Sequence, residues 1–196
     1  MEERFAFLED ETLRSNVVIA FRYIIFLLTL KEKLKFRGAI AYSIYKDIIL
    51  HVGSIVESCI HYTIQKYLDA GVIKKENIMP VKWQDVLCKD VYKISDDKKV
   101  CGVIKEKVYE NFSKKTQFLI INRIAKKSGI ITDGLFKRAQ SLKDKRNKVH
   151  LAGLEETDDY YGKADINTAF KTANLILTHL EIKLNELKLS NTSQTS

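Results

Sequence analysis

Near the end of a basic, helix-patterned stretch, Arg146, Asn147, Lys148, Val149 and His150 place a guanidinium, a carboxamide and an imidazole within five residues. Those three groups match what metal-free cleavage of an RNA phosphodiester requires. A base must take the 2′-hydroxyl proton, an acid must protonate the 5′-leaving oxygen, and positive charge must meet the developing phosphorane. Histidine titrates near neutrality and suits the proton steps. The planar fork of arginine can hold two phosphate oxygens at once. Asparagine can orient either the phosphate or its neighbours by hydrogen bonds. Lys143, Lys145 and Lys148, with Lys137 and Arg138, surround the run with charge suited to binding a phosphate backbone. The plainer alternative is a solvated helix flank.

On a helix, Arg146 and His150 lie one turn apart and share a face. The same wheel puts Leu135, Ala139, Leu142 and Val149 on one stripe with Arg146 near its centre. A charge in an apolar stripe needs a carboxylate partner or an opening onto a ligand site. Glu57 is the expected partner, because it falls on an apolar lane formed by Leu50, Gly53, Ile60, Ile64 and Leu68. His51, His61 and His179 show no spacing that suggests a metal, and no metal or other cofactor is expected. The acidic run Glu155, Glu156, Asp158, Asp159 reads as a solvated loop, and Tyr160 and Tyr161 as residues that pack it.

An Arg-Asn-x-Val-His run closing a helix in a small basic helical chain resembles the HEPN superfamily. The resemblance implies a helical bundle, covers roughly residues 11 to 188 in overall layout, and is specific only at residues 146 to 150. Many such domains are metal-independent ribonucleases of toxin–antitoxin, abortive-infection and CRISPR systems; others bind RNA or nucleotides without cutting. On this resemblance His150 transfers protons, Arg146 holds the phosphate and Asn147 positions it. The family places four to six residues between its Arg and His. Here three intervene, and Lys145 and Lys143 stand at the positions giving intervals of four and six. The resemblance further implies RNA as substrate, a homodimer with the motif helices facing each other across a shared cleft, and an antitoxin or other protein partner. Two other readings stand beside the nuclease: a non-catalytic RNA-, nucleotide- or protein-binding module, and a structural dimerising bundle in which Arg146 is a buried ion pair.

The bulk of the chain sets the frame. Its 196 residues suffice for one domain with a substantial core. One proline and eight glycines leave few helix breakers. A formal charge of +8 favours a polyanionic partner. Cys59, Cys88 and Cys101 are odd in number and lack metal-ligand spacing, so neither disulfides nor zinc are expected, and a reducing cytoplasm is the natural setting. Cys59 reads as core, and Cys88 and Cys101 as packed strand thiols. The N-terminus lacks a secretory pattern, and no membrane is expected: Val17 to Leu30 is apolar but interrupted by Arg22, which reads as a core helix too short to span a bilayer.

The expected architecture is mainly α, an up-and-down bundle over residues 1–189 with a polar, disordered tail at 190–196. Helices are expected at Glu11 to Lys33, Ala39 to Asp69, Thr116 to Lys127, about Asp133 to Leu151, and from Asp165 to beyond Leu187. The first carries Val17, Phe21, Ile24, Ile25 and Leu28 at helical intervals. The second is apolar on two sides, which puts it mid-bundle. The last carries Phe170, Leu175, Ile176, Leu180, Leu184 and Leu187. Between Trp83 and Tyr109 the pattern changes to short apolar runs around Ser95-Asp96-Asp97-Lys98, consistent with a small inserted β-hairpin or short helical turns. No glycine-rich phosphate loop is present.

Overall fold

A computed structural model describes residues 2–109, 112–147 and 161–193, with side chains to residue 190. It is mainly helical, with one two-stranded antiparallel sheet. Helices α1 (Glu11–Lys33) and α2 (Gly38–Asp69) are followed by a short α3 (Lys75–Ile78). Strands β1 (Val81–Ser95) and β2 (Lys98–Tyr109) come next, then α4 (Phe118–Lys127), α5 (Asp133–Asn147) and α6 (Lys163–Ser193). The polar tail expected from residue 190 is helical as far as Ser193.

Helix α2 is the axis of the bundle, because α1, α4, α5 and α6 all pack on it. Its two apolar lanes make that possible: Ile48, Val52, Ile55 and Cys59 are buried on one and Gly53, Ile60 and Ile64 on the other. The ends of the helices follow local chemistry. The Asp10 carboxylate accepts from the Leu13 N–H at 2.9 Å and starts α1. The turn into α2 uses positive φ at Lys35 and Gly38, and Gly129 takes φ of 71° just past α4. Thr132 opens α5 by accepting from the Leu135 N–H at 3.3 Å. Asp165 helps to cap α6 from inside the helix rather than from ahead of it. It lies in the first turn and reaches back to accept from the Gly162 N–H at 3.0 Å.

Two helices are less enclosed than their patterns imply. Ile25 in α1 and Leu175 in α6 are exposed rather than buried, as are Ile19 and Phe26. Only one edge of α1, with Val17, Val18, Ile24 and Leu27, meets the core. Helix α1 also corrects the expectation that it is too short for a bilayer. By length and composition alone, both α1 and α2 suffice to cross one.

The segment after Pro80 forms a hairpin rather than helical turns. Its strands carry β-branched and aromatic residues, and Asp96-Asp97 provides the turn. Extra residues bulge from β1 near Val86, Val91 and Ile94. At 12 to 15 residues per strand it is longer than a small insertion, and almost every side chain is exposed. Cys88 and Cys101 are therefore exposed rather than packed, while Cys59 is fully buried.

The N-terminal segment is tied down by charge. Glu9 accepts from Lys66 of α2 at 2.7 Å and pairs with Lys188 of α6 at 2.9 Å. Those two hydrogen-bonded ammonium groups hold its carboxyl down at about 2. A lowered carboxyl contributes stability above its ordinary pKa and loses it as the pH falls through the folded value. Because the groups are about half exposed, screening keeps the effect small. The expected outcome is that Glu9→Gln melts below the parent from pH 5 upward, with the gap closing as both are taken towards pH 2; a gap independent of pH would contradict this role.

Candidate functional site

Arg146 sits in the last turn of α5, one turn beyond buried Leu142 and two beyond buried Ala139. Following that stripe, its side chain crosses onto α2 and donates from Nη1 to Glu57 Oε2, making the ion pair that the two apolar surroundings demand. Two further contacts fix the guanidinium. Its Cζ lies 6.0 Å from the centroid of the Phe118 ring at the start of α4. Its stem lies against Gly53, where a Cβ would come within 3.1 Å of Arg146 Cδ. A side chain at residue 53 would compete with the Arg stem for the same space. This is the packing reason for a glycine inside a 32-residue helix.

Arg146 and Glu57 open onto a groove of about 780 Å³ between α1, α2 and the 112–117 connection. Asp10, Asn16, His61, Gln65, Lys114 and Thr116 also line it. His61, set aside above as a metal ligand, belongs to this groove. It stands four residues after Glu57, on the same face of α2, and that interval is the signal that would have singled it out. Its ring stacks on Phe112 at 4.3 Å, and its Nε2 lies 2.9 Å from the Ser113 carbonyl oxygen. That carbonyl can only accept, so Nε2 carries the hydrogen and Nδ1 is left to exchange a proton.

The predicted cationic ring is less available than the sequence suggests. Lys145 binds the Asp165 carboxylate of α6, and its own carbonyl accepts from buried Tyr161 at 2.9 Å. Burial pushes the Asp165 carboxyl up. The hydrogen bonds from Lys145 and the Gly162 N–H outweigh that and hold it below the usual carboxylate range. Lys145 is thus a tie between α5 and α6 rather than a free substrate contact. Lys143 lies 2.9 Å from Asp144 with its side chain largely covered. Asn147 ends α5 on the exposed surface. Lys148, Val149, His150, Leu151, the acidic run from Glu155 to Asp159 and Tyr160 lie outside the described residues.

The remaining histidines and cysteines belong to the framework. The His179 Nε2 lies 3.0 Å from the Ile130 carbonyl, and the His51 ring packs edge-on against Tyr23. Burial pushes the Cys59 thiol up to about 12, and a hydrogen bond to Asp90 raises that of Cys101, so both stay protonated and weakly nucleophilic at neutral pH. Among the described residues no three His, Cys, Asp or Glu side chains converge as metal ligands would.

The Arg146 clamp gives two expected outcomes. Glu57→Ala leaves a mostly covered guanidinium without its carboxylate and should cost about 1–2 kcal/mol in denaturant unfolding, with Glu57→Gln costing less. Gly53→Ala should gain little in the parent, because the new methyl meets Arg146. In an Arg146→Ala background it should stabilise by about 1 kcal/mol, the ordinary helix-propensity gain. Equal effects in the two backgrounds would separate Gly53 from Arg146.

No protein-family model matches this sequence, and neither the curated proteins nor the solved structures contain one detectably similar to it.

Proposed function

We propose that this chain is a HEPN-like, metal-independent endoribonuclease of the cytoplasm, acting on RNA as a toxin or defence effector. The observation that carries this reading is the seating of Arg146: a guanidinium held by Glu57 and Phe118 at the wall of a groove that also holds an imidazole. In the proposed reaction the 2′-oxygen attacks phosphorus as a base takes its proton. The bond from phosphorus to the 5′-oxygen breaks, and an acid protonates that oxygen. The products are a 2′,3′-cyclic phosphate and a 5′-hydroxyl. Two proton-transfer groups are needed, and His150 and His61 are the candidates. Arg146 meets the charge on the phosphorane, and Asn147 orients the phosphate. A homodimer, and an antitoxin or other protein that holds the activity in check, belong to the same proposal.

A second reading is favoured by a specific observation. The Arg146 charge is already matched by Glu57, and only three residues separate Arg146 from position 150. A groove of that kind suits a non-catalytic module that binds RNA, nucleotide or protein.

Incubation of purified protein with RNA in EDTA separates the two. The nuclease reading expects cleavage that survives chelation, ends in cyclic phosphate, and falls by about 100-fold or more in His150→Ala with the fold retained. His61→Ala should lose about 10-fold or more and should flatten one limb of the pH–rate profile. Salt-sensitive RNA binding without any cleavage would favour the binding module instead. Cleavage undiminished in His150→Ala would overturn the mechanism.

A further inference from the structure

The end of α1 and the turn into α2 bring uncovered apolar side chains and cations together. On the α1 wheel Phe26, Leu30 and Leu34 fall within about 80° of one another, turned away from buried Val17 and Ile24. Phe26 and Leu34, with Ile40 in the first turn of α2, are each 56% exposed. Among them Lys31, Lys33, Lys35 and Arg37 stand within seven residues. Lys31 lies over the Tyr45 ring at 5.1 Å. The other three are exposed and, among the described residues, pair with no carboxylate. The nearby acids are Glu32, which the wheel turns about 160° from Leu34, and Asp47, two turns up α2 beside Lys46. Residues 31–47 thus hold five Lys and Arg against two acids, a balance of +3 at one end of the bundle.

The backbone of the turn keeps one of these cations under strain. The Phe36 N–H returns to the Lys31 carbonyl at 3.3 Å, and the Lys35 N–H to that of Glu32 at 3.3 Å. This pattern ends a helix on a left-handed residue, most often glycine. Here that residue is Lys35, at φ of 52°. Phe36 packs onto the core and anchors the turn. Folding alone would favour glycine at position 35, whereas a surface that uses the charge explains lysine.

We infer that this turn seats on an anionic lipid surface. Phe26, Leu34 and Ile40 enter the headgroup region, and Lys33, Lys35 and Arg37 meet the lipid phosphate and carboxylate groups. The mixture of side chains selects this occupant. An RNA strand would match the cations but leave the exposed Phe, Leu and Ile without a purpose. A second copy seated turn to turn would bring like charges together. An anionic bilayer satisfies both. Val17, Ile24 and Leu27 stay in the core, so the contact is peripheral. The groove begins at the other end of α1, where Leu13 is about 30 Å from Leu34 at 1.5 Å per residue. The inference therefore stands independently of the nuclease reading.

Cosedimentation of the full chain with phosphatidylcholine vesicles, with and without about one-third phosphatidylserine, tests it. The parent should bind the anionic vesicles about 10-fold or more tightly than the neutral ones and lose that preference in about 0.5 M salt. Leu34→Ser with Ile40→Ser should weaken binding by about 10-fold or more, and Lys33→Gln with Arg37→Gln by about 20-fold, with helical circular dichroism unchanged. Lys35→Gly should raise the melting temperature and yet weaken vesicle binding by about 5-fold. Failure to bind anionic vesicles, or equal binding to neutral ones, would overturn the inference. So would binding that the paired serine changes leave intact, which would assign the cations to a polyanion such as RNA.

Discussion

The cost of enclosing a charge organises the functional end of this molecule. Helix α2 packs on four other helices because it is apolar on two sides, yet one of its lanes carries Glu57. A carboxylate among Gly53, Ile60 and Ile64 must be met by a cation, and α5 delivers Arg146 to it. The pair fixes how far along α2 the end of α5 sits. Phe118 and Gly53 then shape the space around the guanidinium, one by lying beside it and the other by leaving room. The groove beside the pair is a consequence, since polar side chains at an imperfectly covered helix face exclude further apolar packing.

Arg146 and Lys145 show how neighbouring cations can have different duties. Successive residues on a helix point about 100° apart, so Arg146 turns towards α2 and Lys145 towards Asp165 of α6. Between them they pin α5 against two helices. The same structural role makes both less like freely offered phosphate ligands. In the proposed reaction Arg146 would share its fork between Glu57 and substrate, an arrangement that orients the fork but reduces the net charge it presents. The +8 balance of the chain is therefore a property of its whole surface more than of this groove.

His61 and the hairpin arm are linked by the chain itself. The segment that leaves the arm carries Phe112 and Ser113, which stack on His61 and approach its Nε2. The arm carries cross-strand ion pairs, and both the arm and the outer side of α1 leave large apolar residues in contact with solvent. These surfaces separate this chain from a bundle that is complete by itself.

Periodicity determined most of the helical layout. The two lanes of α2, the stripe on α5 that ends in Arg146, and the glycine stops are local patterns, and a 3.6-residue repeat expresses them without reference to the rest of the chain. The Glu57–Arg146 pair was also legible, because a charge inside an apolar lane has few ways to be satisfied. Other features were not. Ile25 and Leu175 have the spacing of core residues and are exposed, since which side of an apolar helix is covered depends on how many neighbours pack there. Lys145 looked like a free cation until the start of α6 brought Asp165 to it from 20 residues away. His61 gained its setting only when the 112–117 connection folded over α2. Local sequence sets which groups a helix face presents; only the packing of distant segments decides which of them are matched, covered or left open to a ligand.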